Sequence, residues 1–284
     1  MAQPPRRPVA ELDGHPVRGE ALLAPALTGY GHFTTMRVVD GCRVRGLDLH
    51  LARLVRDSRA LFGTEPDTDR IRRYVRRAVA RHHGAAVTDA GAGAGAVPDG
   101  DVMVRVTLFD PELDIVRPAT EAEPRVLVTV RPAPASHPAP LRVRTTRHLR
   151  DLPTVKHISL LGTLHARRSA QLDGWDDVLF VDPEGHVTEG ATWNVGFVRD
   201  DSVVWPCGES LPGVTSELLR RTDPGCGGTT VGVEQLPQMT AAFATNAGVG
   251  VRPLAAVDDV SFDTGHPVLD RLRRAYLSVD AQPL

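Results

Sequence analysis

Residues 154–161 read TVKHISLL, and the third of them, Lys156, is the only lysine in a chain of 284 residues that carries 33 Lys+Arg. Every other basic charge is arginine. Arginine makes salt bridges and solvates surfaces, but its guanidinium stays protonated and is no nucleophile at neutral pH. A lysine whose pKa is pulled down by burial can form a Schiff base. On composition alone two readings stand side by side: a covalent catalyst, or the one survivor of a bias toward arginine. The residues around Lys156 favour chemistry.

On either side of this stretch the chain mixes strand and helix signals. Upstream, residues 33–39 read as a strand followed by an Asp40-Gly41 hairpin turn. Asp48 is placed to cap a helix that runs to Phe62 and stops at Gly63, with Leu51, Leu54, Val55, Ser58, Leu61 and Phe62 as its buried face. Arg70, Arg72, Arg73, Arg76, Arg77 and Arg81 interleave with Ile71, Tyr74, Val75, Ala78 and Val79 at helical spacing, so they are expected to be the solvated face of an amphipathic helix. Residues 102–109 and 126–130 are β-rich. Downstream, a helix follows Lys156, then strands at 178–181, 193–198 and 203–205. A short helix starts near Gly213 and a last one covers 268–279.

Two low-complexity stretches punctuate the chain. Residues 84–100 (GAAVTDAGAGAGAVPDG) are expected to form a surface loop, and residues 131–140 (RPAPASHPAP) an extended linker. The expected organisation is an N-terminal subdomain over 1–130, that linker, and a C-terminal subdomain over 141–284 carrying Lys156. The class is mixed α and β.

Bulk properties narrow the function. A net charge of −2 gives no field to draw in nucleic acid. Cys42, Cys207 and Cys226 are odd in number and widely spaced. They show no metal-ligand pattern and fit reduced thiols of a cytoplasmic protein. No apolar run reaches membrane-spanning length, and the Pro/Arg-rich residues 1–9 do not read as a signal peptide.

Six fragments stand in a fixed order: GHFTTMRVVDG (31–41), LDLHLARL (47–54), TVKHISLL (154–161), GWDDVLFVDPEGHVTEGATWN (174–194), LPGVT (211–215) and FATNAGVGVRPL (243–254). Together they resemble the class IV aminotransferases, the fold-type IV enzymes of pyridoxal 5'-phosphate (PLP). That family includes D-amino-acid and branched-chain aminotransferases and aminodeoxychorismate lyase. The likeness covers about residues 28–260. It implies an α+β, two-domain fold-type IV architecture like that of D-amino-acid aminotransferase, and a homodimer. It also implies PLP as cofactor, with a small-molecule amino donor and a keto acceptor taken in turn by a ping-pong reaction.

The same resemblance assigns residues. Lys156 is the implied catalytic amine and proton shuttle. Glu189, in VTEGATWN, matches the carboxylate that holds the pyridine nitrogen protonated; without the likeness it reads as a turn carboxylate. Arg53, in HLARL, matches the phosphate-binding arginine, its alternative being an exposed helix salt bridge. Val214 and Thr215, after Pro212-Gly213, match a phosphate cradle at a helix start. Asn246 and Ala247 match the second phosphate-binding turn. Phe33, Thr35 and Arg37 alternate onto one face of their strand, which in the family lines the substrate pocket. Arg37 there either meets a substrate carboxylate or pairs with an internal acid. Leu161 stands where branched-chain aminotransferases carry a tyrosine, which disfavours that subgroup. Phe33-Thr34-Thr35 and Asn246 lean toward the lyase, which eliminates pyruvate without an acceptor. The Arg-Gly-rich stretch of the lyase is missing at Phe109-Asp110-Pro111, and the balance favours transamination. A PLP-binding protein without turnover is the third reading.

Overall fold

The computed structural model describes residues 9–84, 87–88, 91–92, 100–222 and 228–284. Most of the 84–100 stretch lies outside the described residues, as do residues 1–8 and Cys226. The chain divides into two compact units.

Unit 1 comprises Met1–Ala133, Val155–Ser159 and Ala281–Leu284. In chain order it holds β1 (Val9–Leu12), β2 (His15–Pro16), α1 (Leu23–Thr28), β3 (His32–Val39), β4 (Arg43–Arg45), α2 (Leu47–Phe62), α3 (Thr68–His82), β5 (Val87–Thr88), β6 (Gly91–Ala92), β7 (Val102–Phe109) and β8 (Arg125–Pro132). The last strand of the chain, Ala281–Pro283, opens an antiparallel sheet that continues β4, β3, β7, β8, β1, β2. Alternation decides which face each residue serves. Met36 and Val38 of β3 and Val104, Val106 and Leu108 of β7 enter the core with Leu54 of α2 and Ile71 and Val75 of α3. Thr35 and Arg37 stay half-buried. In register, Thr35 lies opposite Arg105 and Phe33 opposite Thr107.

The two main helices of unit 1 begin differently. Asp67 caps α3, accepting the Arg70 N–H at 2.9 Å, and the arginine-rich face of that helix is exposed or half-buried, as its spacing implies. Asp48 does not cap α2. Gly46, at φ 66° in the left-handed region, occupies the cap, and Asp48 sits inside the first turn, where its charge still suits the positive helix end. Gly63 ends α2 as expected, at φ 68° with its N–H on Arg59 O. The buried face of α2 keeps Leu54 and Ser58 of the expected face and is otherwise different. It consists of Leu47, His50, Arg53, Leu54, Asp57 and Ser58, while Leu51, Val55, Leu61 and Phe62 are half-buried.

Unit 2 comprises Pro134–Thr154 and Leu160–Asp280. It holds β9 (Leu141–Arg147), α4 (Leu161–Leu172), β10 (Asp177–Val181), β11 (Val187–Gly190), β12 (Asn194–Arg199), β13 (Ser202–Pro206), α5 (Val214–Thr222), β14 (Gly228–Thr229), β15 (Ala241–Asn246), β16 (Gly250–Val257), β17 (Val260–Ser261) and α6 (Pro267–Ser278). The sheet order is β11, β10, β9, β16, β15, β12, β13, β14, with β17 on β16. β9 runs parallel to both neighbours, β10 and β16. The β9–β10 pair is joined by a crossover through α4, as parallel strands require. The strongly apolar β10 and β12 build the core with Trp193, Leu254 and Val257, and α5 and α6 pack against β15 and β16.

Lys156 lies on that crossover, between β9 and α4. The segment Val155–Ser159 nevertheless belongs to unit 1, and so does Ala281–Leu284. A linear division at residues 131–140 assigns both to the C-terminal subdomain, so the units differ from that expectation at these two segments. The physical reason is pairing. Val155–Ser159 bonds to the start of β3 through Phe33 and Gly31, and the terminal strand pairs β4.

Candidate active-site residues

Unit 1 carries Lys156, Arg53, Phe33, Thr35 and Arg37. The Lys156 backbone is held on both sides: its carbonyl accepts the Phe33 N–H at 2.8 Å and its N–H donates to Asp57 Oδ2 at 2.9 Å. The next turn of the segment is closed by Ile158 N–H on Gly31 O at 2.9 Å. Gly31 is required there, since a Cβ would lie 2.7 Å from the Leu108 carbonyl. Lys156 Nζ stands 4.9 Å from the centroid of the Phe33 ring, and Arg105 Cζ stacks on the same ring at 3.6 Å. Both distances suit cation–π contact.

Arg105 is a residue the motifs did not single out. It is partly buried, burial lowers its pKa, and its hydrogen bond goes to a neutral group, Thr107 Oγ1, at 3.2 Å. Among the described residues no carboxylate pairs with it. Arg37 differs: it forms an ion pair with Asp101 at 2.7 Å, so of its two expected roles the internal acid is the one observed. The signal for Arg105 was present in the alternation of VMVRVTLF, which puts Arg105 and Thr107 on the face opposite to Val104 and Val106.

Arg53 is 5% exposed on α2. One turn earlier on the same helix is His50, 1% exposed, whose Nδ1 lies 2.7 Å from Thr34 Oγ1. Its Nε2 is buried with no hydrogen-bond partner among the described residues. Burial, reinforced by the positive charges of Arg53 and Lys156, pushes the His50 pKa down to about 3. The imidazole is therefore neutral at physiological pH, poised to give or accept one hydrogen bond at Nε2.

Unit 2 carries Glu189, Val214, Thr215, Asn246 and Ala247. Glu189, at 5% exposure, accepts from Arg150 Nη1 at 3.1 Å and from the Leu211 N–H at 3.3 Å. Asn194 Nδ2 donates to Leu211 O at 2.8 Å. These two side chains fix the loop that leads into α5. Gly213 in that loop admits no side chain: a Cβ would lie 1.8 Å from Asn194 Oδ1. The N-terminus of α5 is thereby left with Val214 and Thr215 buried, and Thr215 Oγ1 has no hydrogen-bond partner among the described residues. Asn246 and Ala247 lie at the β15–β16 turn, where Asn246 Oδ1 accepts from the N–H groups of Gly248 and Val249 at 2.9 and 3.1 Å. The Asn246 side chain is thus engaged in its own turn. Arg150 and Asn194 were not legible as site residues. Leu161 opens α4 at 83% exposure.

Among the described residues, Asp182, Glu184 and His186 bring donor atoms within 4.8 Å of one another. They form the β10–β11 turn, where Asp182 bonds the His186 N–H and ring. No helix of the described residues is long and apolar enough to cross a membrane.

Comparison with known proteins bears on these clusters. Residues 31–257 match the family model of the class IV amino-transferases. A probable branched-chain-amino-acid aminotransferase of Rickettsia felis is 28% identical over 120 residues; the match takes in 39% of this chain and spans 41% of that relative's length. Among solved structures, the branched-chain aminotransferase of Thermoproteus uzoniensis with norvaline superposes with a TM-score of 0.80 at 20% identity, covering 98% of this chain and 99% of that one. A PLP-bound hypothetical aminotransferase of Mycobacterium tuberculosis gives 0.78 at 20% identity, covering 96% and 98%. At these identities the structural likenesses establish the fold, which is α+β of fold type IV.

Proposed function

The chain belongs to the class IV aminotransferases, and from that premise we propose that it is a PLP-dependent enzyme moving an amino group from an amino acid to a keto acid by a ping-pong reaction. The observation that carries this reading is the lone lysine: Lys156 is clamped at both its N–H and its C=O, and its amine shares the Phe33 ring with the guanidinium of Arg105.

The residues fit the cofactor. A phosphate group asks for cationic and N–H donors, and Arg53 and the N-terminus of α5 have that character. The buried, unpartnered Oγ1 of Thr215 is a further donor in want of an acceptor. When bound, PLP supplies an aldehyde carbon that takes the amino group and a ring that accepts electrons. Lys156 Nζ would provide the amine that holds the cofactor and would move a proton to and from the substrate Cα. Glu189, which pairs with Arg150 at 3.1 Å, would accept the hydrogen bond of the pyridine N–H. Arg105 receives the substrate carboxylate, which selects amino acids over simple amines. Phe33 and Thr35 border that position. Val214, Asn246 and Ala247 contribute backbone N–H groups toward the phosphate.

We further propose a cytoplasmic homodimer. The exposed thiols of Cys42 and Cys207 suit a reducing compartment. Leu149, Leu152, Leu161 and Leu164, all 46–83% exposed, supply apolar surface of the kind a subunit contact covers.

Borohydride reduction of the PLP-loaded enzyme tests the reading. About one pyridoxyl group per chain is expected on the peptide containing Lys156, and none in Lys156→Ala or Lys156→Arg. An amino donor alone should then convert the cofactor to its amino form in one turnover. Continuous pyruvate release from one substrate with no acceptor would overturn transamination in favour of the lyase.

A further inference from the structure

Val155–Ser159 has no helix or strand of its own, so Lys156 is placed by specific contacts rather than by a regular element. Two of those contacts are main chain to main chain, with Phe33 and Gly31. Another comes from a side chain 99 residues away: Asp57 Oδ2, which accepts the Lys156 N–H at 2.9 Å. Asp57 is 0% exposed. Its other oxygen takes Arg56 Nε at 2.9 Å and Nη2 at 2.7 Å. A buried carboxylate is costly and persists where its partners repay the desolvation. It stands on α2 one turn beyond Arg53 and two beyond His50, on the same buried face. One rigid helix thus holds the arginine assigned to phosphate and grips the peptide of the lysine assigned to the aldehyde.

We propose that Asp57 is a positioning residue for Lys156: by tying the lysine peptide to the helix that carries Arg53, it makes α2 a ruler that fixes the separation between the phosphate anchor and the reacting amine. A phosphorylated aldehyde held at Arg53 would then meet an amine whose peptide is fixed to the same helix. Misplacement by about 1 Å of a reacting group costs on the order of 100-fold in rate, which is what such a ruler avoids. The inference rests on the reading of Lys156 as the covalent amine.

The test compares wild type, Asp57→Ala and Asp57→Asn, the last keeping an oxygen acceptor for the Lys156 N–H. Three measurements are made on the full chain: the rate of borohydride-trapped capture of PLP, the same rate for pyridoxal, which lacks the phosphate, and the affinity for inorganic phosphate. In wild type PLP should be captured faster than pyridoxal. In Asp57→Ala that advantage should shrink about tenfold, the scale of one lost hydrogen bond to a charged group, while phosphate affinity stays within about twofold. Asp57→Asn should recover most of the advantage. Wild-type capture of both aldehydes in Asp57→Ala overturns the proposal. So does a parallel loss of phosphate affinity and capture in both variants, which marks a general folding role. If Asp57→Ala does not fold, hydrogen exchange of the Lys156 amide in wild type and Asp57→Asn decides: an amide that exchanges as freely as an exposed loop overturns the clamp, and strong protection in both supports it. Failure of the underlying reading looks different, because Lys156→Ala would then trap as much PLP as wild type.

Discussion

α2 and α3 follow one another in the chain, belong to the same unit and differ in length by one residue, 16 against 15. What they bury differs in kind. α3 buries Ile71, Val75, Ala78 and Val79, with His82 at its end. α2 buries Leu47 and Leu54, but between and beyond them also His50, Arg53, Asp57 and Ser58. For α3 the transfer of apolar surface from water is sufficient reason for its docking. For α2 it is not: an arginine, a carboxylate and a neutral imidazole carry a desolvation cost that leucines would have avoided. A helix that breaks the binary pattern on its buried side signals work other than holding the fold together. α3 is therefore the helix of stability, and α2 is the helix of the proposed site.

If that division is right, damage to the two helices should separate. The largest effect on stability belongs to α3. Ile71, at 1% exposure in the core, should cost about 2–4 kcal/mol when cut to alanine, read as a fall in the urea midpoint. PLP affinity of the protein that remains folded should stay at the wild-type level. The converse belongs to α2. Arg53→Ala should weaken PLP binding by about 10- to 100-fold, the range of one or two charge-assisted hydrogen bonds, and leave the urea midpoint of the cofactor-free protein nearly unchanged. An Arg53→Ala protein that loses stability as Ile71→Ala does, with PLP affinity intact, would erase the contrast.

The same contrast shows what the sequence could reveal. α3 is legible from periodicity because nothing but burial decides it, whereas its Asp67 cap is seen only in the structure. β3, β7, β10 and β13 were legible for the same reason: apolar runs bounded by turn residues. α2 was legible as a helix with the right stop, but its buried face was read from its leucines, and the face that packs is rotated toward the polar residues. Of the proposed site, Lys156, Arg53 and Glu189 stand out through motif and singularity. Asp57 did not, because an aspartate among arginines in LVRDSRALF reads as a solvated charge. Its partner is the backbone N–H of a residue 99 positions away, and no local pattern encodes that. Arg150 and Asn194 escaped for a related reason: their roles exist only once β11 and the loop before α5 are brought together within unit 2. The place of Val155–Ser159 in unit 1 is not legible, because a crossover connection contributes its middle to the other unit and linear composition carries no trace of that.

The smallest predicted difference between the helices is in acid sensitivity, and it isolates one α2 residue. Burial holds the His50 pKa near 3, against about 6.5 in an unfolded chain. Between those values the unfolded state binds a proton that the folded state refuses, so stability is full above about pH 6.5 and falls as the pH drops through the window. One such site contributes at most about 1.4 kcal/mol per pH unit. His32, held to about 4 chiefly by burial, adds a slope of the same sign over a narrower range. Replacing His50 by glutamine keeps a side chain of similar size that takes up no proton. In the cofactor-free protein, His50→Gln should flatten the dependence of unfolding free energy on pH between 6 and 4.5 by up to one proton, leaving the shares of His32 and of His148, whose pKa burial also lowers. Ile71→Val should instead lower the whole curve without changing its slope, because an apolar contact carries no proton. Urea unfolding at pH 7, 6, 5 and 4.5 reads both outcomes. A His50→Gln slope equal to wild type would mean that the imidazole is charged in the folded state or solvated there, and the contrast with α3 would then rest on Arg53, Asp57 and Ser58 alone.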